Sequence, residues 1–186
     1  MINKPRFNEE KATALAVLFL QKANGKMSYM KLIKLMYLVD RTSLCKIGQF
    51  VTNDDFYSLK NGPILSNVMD LITEPNRTTT SWNKYISVPA NFEIELKKKD
   101  LRSILEFLSD YEVEVANTIY SSYGKMQRWD LVDWTHKNLP EWKDPNGGRI
   151  LITPEDILSV CGKSKQEVKD VLFRLAEQAQ MERIFD

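Results

Sequence analysis

The side chains that most often perform chemistry in proteins are few and scattered in this sequence. His136 is the only histidine, and Cys45 and Cys161 are the only cysteines among 186 residues. Zinc sites need ligands repeated at short spacing, and neither a C-x-x-C nor an H-x-x-x-H pattern occurs. The adjacent carboxylates Asp54 and Asp55 lie in a turn-like segment, where solvated or helix-capping roles are more common than magnesium binding. The sequence therefore predicts no metal site and no cofactor.

Catalytic and nucleotide-binding patterns are equally sparse. Nucleophilic catalysis requires a general base beside a serine or cysteine, and the spacing identifies no such partner for His136. The Gly-Lys-Ser run at 162–164 matches the end of a phosphate-binding loop, but Ile157 stands where that motif needs a glycine. We therefore expect that the protein is not an enzyme. A hydrolase built around His136 is a weaker hypothesis, and a half-buried ring is the preferred interpretation.

Composition narrows the classes of partner. The chain is 43% hydrophobic and 27% charged, which is typical of a globular protein. Its 26 basic and 25 acidic residues give a net charge of +1, so a large non-specific nucleic-acid surface is not expected. No apolar run approaches the ~20 residues of a membrane helix, and no signal-peptide core is present. We expect one domain over residues 1–186, in the cytoplasm, with the two cysteines reduced and separate.

The stretch from Ser28 to Leu71 is the most distinctive part of the sequence. Its first half predicts a helix that is apolar on nearly all sides, and such a helix belongs inside a domain. A polar stripe of Lys34, Tyr37 and Arg41, with Asp40 to one side, interrupts this helix. The stripe has two interpretations. In the first, the stripe is part of a buried hydrogen-bonded network, because buried charges must be paired. In the second, it reaches the protein surface and contacts a partner. We prefer the first interpretation.

The second half of this stretch is rich in turn residues. Short β-like runs at 50–51 and 56–59 flank a segment of turn residues, and we expect the stretch to end in an exposed knuckle at 60–63. Proline at position 63 suits the first turn of a following helix. The candidate partner-binding residues of this segment are Tyr57, Lys60, Asn61, Gly62 and Pro63.

The remaining pattern is mainly helical. Apolar spacing and capping residues predict helices over 9–23, 28–46, 63–72, 101–124, 127–138, 154–161 and 165–181. A β-hairpin is predicted over 82–96, because Phe92, Ile94 and Leu96 alternate with charged residues and should face the core. The expected fold is a mainly α, compact helical domain with a small antiparallel β-hairpin.

Two groups of motifs in this sequence resemble the Panacea domain of SocA-like antitoxins. The first is KLIKLMYLVDR at 31–41, followed by Gly48, DFYS at 55–58 and GPILS at 62–66. The second is RWDLVDWTH at 128–136, PEWKDP at 140–145 and PEDIL at 154–158. Together they cover residues 28 to about 160, although 76–99 carries no family motif. The motif residues taken as structural or interface positions are Lys34, Tyr37, Asp40, Arg41, Thr135, His136 and Trp142.

The resemblance implies the antitoxin half of a bacterial or prophage-borne toxin–antitoxin pair. Its partner would be a cognate protein toxin encoded nearby, which it neutralises by direct binding. One branch of the family presents its toxin to an ATP-dependent protease, so such a protease is a second implied partner. This role needs no catalytic residue, only a scaffold with a complementary surface. Tyr57, Tyr123 and Trp82 are candidate anchors, because tyrosine and tryptophan dominate interface hot spots.

A DNA-binding regulator is the alternative function. The helices predicted over 154–161 and 165–181 flank a turn at Gly162, an arrangement similar to a helix-turn-helix. Its basic residues are Lys163, Lys165, Lys169 and Arg174. Acidic residues Glu167, Asp170 and Glu177 lie on the same helix and oppose their field, so we prefer a packing hairpin.

Overall fold

The structure, a computed structural model, describes residues 3–74, 81–87, 90–97 and 100–185. This part of the chain is mainly helical, as predicted, with two small antiparallel sheets. The helices are α1 (Glu9–Lys22), α2 (Tyr29–Ile47), α3 (Ser66–Thr73), α4 (Ser81–Tyr85), α5 (Arg102–Leu105), α6 (Asp110–Tyr123), α7 (Arg128–Asn138), α8 (Pro154–Val160) and α9 (Lys165–Phe185). The strands are β1 (Lys26–Ser28), β2 (Phe56–Leu59), β3 (Gly62–Leu65), β4 (Glu93–Glu95) and β5 (Ile150–Ile152).

Helix α2 is the central element of the fold. Every residue from Leu32 to Asp40 is buried, and the helix packs against α1, α6, α7, α8 and β3. The helix ends at Gly48, whose φ of 71° is in the left-handed region and whose N–H donates to the carbonyl of Leu44. An all-round apolar helix is stable only when other elements cover every face, as they do here. The prediction of a buried central helix is therefore confirmed.

The three-stranded sheet, in the order β3-β2-β5, covers one side of α2. Strands β2 and β3 form a tight hairpin in which Leu59 lies opposite Gly62. On its other edge β2 pairs with β5, so that Phe56 lies opposite Ile152. The sheet thus joins the segment after α2 to a segment nearly one hundred residues later.

The structure differs from the predictions made for Pro63, for Trp82 and for part of the hairpin. Pro63 does not start a helix; it lies in β3, and α3 begins at Ser66. Trp82 lies in α4 and is buried, rather than on a strand or exposed as an anchor. Within its described residues the predicted hairpin is present in part: Ile86 bridges Leu96, the Ser87 N–H donates to the Glu95 carbonyl, and Ala90 bridges Glu93. Strand β4 also pairs with β1. Val88, assigned to the same hairpin, lies outside the described residues.

The helix predicted over 101–124 is two helices. Helix α5 stops at Leu105, and α6 starts after a capping box in which the Ser109 hydroxyl accepts from the Glu112 N–H while the Glu112 carboxylate accepts from the Ser109 N–H. This reciprocal cap satisfies two backbone donors and fixes a new helix start. Apolar residues continue at helical spacing across the break, which explains the wrong prediction.

The expectation of two separate reduced cysteines is also wrong. Cys45 near the end of α2 and Cys161 after α8 form a disulfide, with their Cα atoms 5.9 Å apart. The bond closes a loop with a sequence separation of 116 residues. It ties the last turn of the central helix to the end of α8, the first helix of the C-terminal pair.

Candidate functional site

Lys34 is a buried cation on α2 beneath the β2–β3 hairpin. Its side chain is 1% exposed, and its Nζ donates to the carbonyl oxygen of Pro63 at 2.7 Å. Burial lowers the pKa of Lys34 to about 7. Gly62 makes this close approach possible, because a Cβ there would lie 3.0 Å from Lys34 Cε and 2.7 Å from Thr135 Oγ1. The Thr135 hydroxyl itself donates to the Val132 carbonyl within α7.

Glu141 is the acceptor for the other two residues of the α2 stripe. Its carboxylate accepts from Arg41 Nε at 2.5 Å and from the Tyr37 hydroxyl at 3.0 Å. Arg41 also donates through its second nitrogen at 3.3 Å to the other carboxylate oxygen. Burial and the Glu141 charge raise the pKa of Tyr37 well above its ordinary value, so the phenol stays a donor. This network links α2 to the loop after α7.

Asp40 and Asp54 hold the segment between α2 and α3 in place. Asp40 accepts from the N–H groups of Val51 and Thr52 and from the Thr52 hydroxyl. Asp54 accepts from the N–H groups at the start of α3, namely those of Asn67 and Val68. Burial raises the pKa of each carboxyl to about 6. Both are buried, so Asp54 is a capping residue and not a solvated one.

The five candidate partner-binding residues do not share one exposed surface. Lys60 and Asn61, at the hairpin turn, are exposed. Tyr57 is half-buried, with the Arg149 guanidinium 4.7 Å from its ring centroid. Gly62 and Pro63 are buried, so the idea of an exposed knuckle over all four turn residues is wrong; β-pairing with β2 draws the second half inward.

His136 and Trp142 form a stacked pair at the end of α7. Their ring centroids are 3.9 Å apart, and Trp142 Nε1 donates to the carbonyl of Leu59 in β2. Burial, then the Lys34 charge, lower the pKa of His136. Its Nε2 is buried without a hydrogen-bond partner in the described part of the chain. The pair attaches α7 and the following loop to the hairpin.

A cleft of about 360 Å³ opens beside the hairpin turn. Its walls come from the start of α2, from β2 and β3, and from α3, with two glycines of a later loop at one edge. The lining residues are Tyr29, Met30, Ile33, Lys34, Leu59, Lys60, Asn61, Ile64, Met69, Gly147 and Gly148. The set is largely apolar, with two lysines and one amide, which is the usual composition of a ligand-binding pocket.

An exposed aromatic cluster lies next to this cleft and was missed by sequence reasoning. Phe92 is 62% exposed and Trp129 is 50% exposed. The Arg128 guanidinium lies 5.8 Å from the Phe92 ring centroid and 5.3 Å from that of Trp129. Tyr29, which also lines the cleft, has its ring centroid 6.3 Å from that of Phe92. We call Tyr29, Phe92, Arg128 and Trp129 the aromatic cluster.

The prediction that Phe92 faces the core is wrong. Its φ is 65°, a left-handed conformation that a bulky residue rarely adopts, and this turn directs the ring outward. The Phe92 carbonyl accepts from the Tyr29 N–H at 3.1 Å, which ties the turn to the start of α2. The Arg128–Trp129 pair at the start of α7 was the one signal in the sequence, since these residue types are enriched at interfaces.

The described residues contain neither a metal-binding cluster nor a helix able to cross a membrane. No three His, Cys, Asp or Glu side chains converge there to hold a metal ion. None of the helices in these ranges is both long and apolar enough to cross a membrane.

The chain was compared with known families, curated proteins and solved structures. The profile of the family described as "Antitoxin SocA-like, Panacea domain" matches residues 32–143, which is more than half of the chain. The matched region contains the Lys34–Pro63 hydrogen bond and the Arg41–Glu141 ion pair. No curated protein and no solved structure matches the chain. The resemblance found in the motifs is confirmed, and the chain belongs to the SocA-like antitoxin family that is defined by the Panacea domain.

Proposed function

We propose that this protein is the antitoxin of a toxin–antitoxin pair and neutralises a cognate protein toxin by direct binding. The observation that carries the proposal is the family match over residues 32–143. A SocA-like antitoxin domain favours a regulatory role without catalysis. The toxin is expected to be encoded beside this chain.

The geometry supports binding because the buried networks hold exposed groups in fixed positions. The hydrogen bonds of Lys34, Glu141 and Trp142 join α2, the loop after α7 and the hairpin. The elements that carry the hairpin turn and the aromatic cluster are therefore connected to one another. Preorganised surfaces bind more tightly, because less conformational entropy is lost on association. Three of the four members of the aromatic cluster are a tyrosine, a tryptophan and an arginine, the residue types that are most enriched among interface hot spots.

Co-expression with the neighbouring reading frame tests this proposal. We expect the neighbour alone to stop growth and this protein to restore growth in the same cells. Trp129→Ala should weaken the rescue, whereas Phe173→Ala on α9, where the side chain is 65% exposed, should not. A harmless neighbour, or one that stays toxic beside the wild-type protein, would refute the proposal.

The level of the neighbour in rescued cells separates two modes of neutralisation. With direct binding alone, the toxin should accumulate in a complex that co-purifies with this protein. With adaptor activity toward an ATP-dependent protease, the toxin should instead be depleted and should reappear when the protease gene is deleted. Direct binding is the mode that we propose, and adaptor activity is its extension.

The DNA-binding alternative rests on the α8–α9 pair. The pair is present, with a turn at Gly162, but charges of both signs alternate along α9. Lys163 Nζ lies 3.7 Å from the Glu167 carboxylate, so the charge of one of the basic residues is offset locally. A gel shift with the protein's own promoter at low salt tests this alternative, and we expect no shift.

A further inference from the structure

The cleft beside the hairpin carries a one-sided charge. Two of its lining residues, Lys34 and Lys60, are cationic, and Asn61 adds an amide donor. Among the described residues, no aspartate or glutamate lines the cleft. The rest of the lining is mostly apolar, including Ile33, Ile64 and Met69. A cavity with apolar walls and only cationic charge is complementary to an apolar group that ends in an anion.

Among the buried charged side chains that the structure describes, Lys34 differs from the others because it combines a single hydrogen bond with the lack of an ion pair. The four buried carboxylates of the described residues are each satisfied: Glu141 by Arg41, Glu112 by Lys11, Asp40 by Val51 and Thr52, and Asp54 by the start of α3. Lys34 has no ion pair among the described residues, and Pro63 O is the acceptor found there for its three N–H donors. A buried ammonium without a counter-charge is unfavourable and gains most from a bound anion.

We propose that the cleft receives the C-terminal end of a partner polypeptide, with its α-carboxylate at Lys34 and its last apolar side chains between α2, β3 and α3. A single carboxylate at this position supplies the counter-charge that Lys34 lacks among the described residues. The apolar walls then select the side chains that precede the carboxylate.

The surroundings of the cleft favour a chain end over a free small acid. Tyr29 belongs both to the cleft and to the aromatic cluster, so the two surfaces are continuous. A small acid would fill the cleft and leave Phe92 and Trp129 exposed, whereas the residues leading to a chain end can cover them. This inference rests on the proposed function, because it assigns the binding surface used for a protein partner.

Peptides that differ only at their terminus test the inference. We would measure fluorescence anisotropy at pH 6.5 with three fluorescein-labelled hexapeptides ending in Leu-Leu, Val-Ile or Leu-Phe, each as the free acid and as the C-terminal amide. At least one acid should bind tenfold or more tightly than its amide, because only the free acid offers the Lys34 ammonium a charged acceptor. Lys34→Met should abolish this difference, and Lys169→Met, at an exposed position of α9, should keep it.

Each other result overturns the inference. Equal binding of all acids and amides, or no binding of any, would reject a carboxylate site. An acid preference that survives in Lys34→Met would place the site elsewhere. If octanoate binds in a Lys34-dependent way and no peptide does, the cleft is a site for a small acid.

Circular dichroism checks that Lys34→Met folds, which we expect because methionine preserves the apolar stem. Rescue in the co-expression experiment is scored separately, so the proposed function can stand when this inference fails.

Discussion

Gly62 lies so close to Lys34 that the hairpin and the central helix meet with almost no space between them. A Cβ at Gly62 would come within 3.0 Å of Lys34 Cε and 3.1 Å of its Nζ. It would also meet Thr135 Oγ1 of α7 at 2.7 Å. Three separate segments of the chain therefore depend on the absence of one methyl group.

Gly62→Ala should destabilise the fold by about 2–4 kcal/mol, because overpacking adds to the strain of a residue whose φ is +94°. Gly147→Ala is a matched control: φ there is +95°, but nothing lies within 4 Å of the added Cβ. It should cost only the conformational strain, about 1 kcal/mol. Urea unfolding at equilibrium measures both. Equal losses in the two variants would mean that the close approach at Gly62 carries no energetic weight.

Glu141→Gln should destabilise the protein by about 2–4 kcal/mol, because it removes the counter-charge of Arg41 in a largely buried network. The double variant Arg41→Met, Glu141→Gln should lose less stability than the sum of the two single variants, since no unpaired guanidinium remains. Lys163→Met serves as the control at a surface pair on α9, where the change should be small. The measurement is the free energy of unfolding for each variant. Additive losses in the double variant would contradict direct coupling of the two residues.

The helices that could be predicted from the sequence are those with local signals. Caps at Asn8 and Thr153, the left-handed stop at Gly48 and helical apolar spacing place α1, α2, α7, α8 and α9. The errors arise where distant segments decide the structure. Pro63 becomes a strand residue because β2 pairs with β3 on one edge and with β5 on the other.

The candidate site shows the same division between local and distant information. The polar stripe of Lys34, Tyr37 and Arg41 could be seen, because all three lie on one helix. Glu141, the acceptor for Tyr37 and Arg41, could not be predicted, since it lies 100 residues from Arg41. The exposure of Phe92 could not be predicted either, because it results from a backbone conformation that sequence alternation does not encode. The cleft is formed from four separated segments, so no single stretch of sequence carries its pattern.

Reduction of the Cys45–Cys161 disulfide should lower stability by about 2–5 kcal/mol, because the bond closes a loop with a sequence separation of 116 residues and restricts the unfolded chain. Urea unfolding with and without dithiothreitol measures the change. The double variant Cys45→Ser, Cys161→Ser should unfold identically in both conditions. Mass spectrometry after alkylation of the unreduced, unfolded protein checks the bond directly; two alkylated thiols would show that it is absent.

Lys34 should make stability rise with pH. Its folded pKa of about 7 lies below the ordinary value of 10.5, so between these values the unfolded chain binds more protons than the folded one. The penalty of burying the charged form is full below pH 7 and is relieved as pH increases toward 10. Between pH 6.5 and 9.5, the free energy of unfolding of the wild type should rise by on the order of 2–4 kcal/mol relative to that of Lys34→Met. If the unfolding free energies of the two proteins change equally with pH over this range, the prediction is wrong. Lys169→Met is the control and should show the same pH dependence as the wild type.

Phe92→Gly should separate folding from partner binding. Glycine adopts a φ of 65° without penalty, so relief of strain should offset the lost contacts of the exposed ring and leave stability within about 1 kcal/mol of wild type. The same change removes one ring of the aromatic cluster, which should weaken rescue from the neighbouring toxin. Asn91→Gly, at the adjacent left-handed position with φ of 51°, alters the same turn but keeps the ring. Rescue by Asn91→Gly but not by Phe92→Gly, at equal thermal stability, is the expected result. Full rescue by both variants would show that the Phe92 ring does not contribute to partner binding.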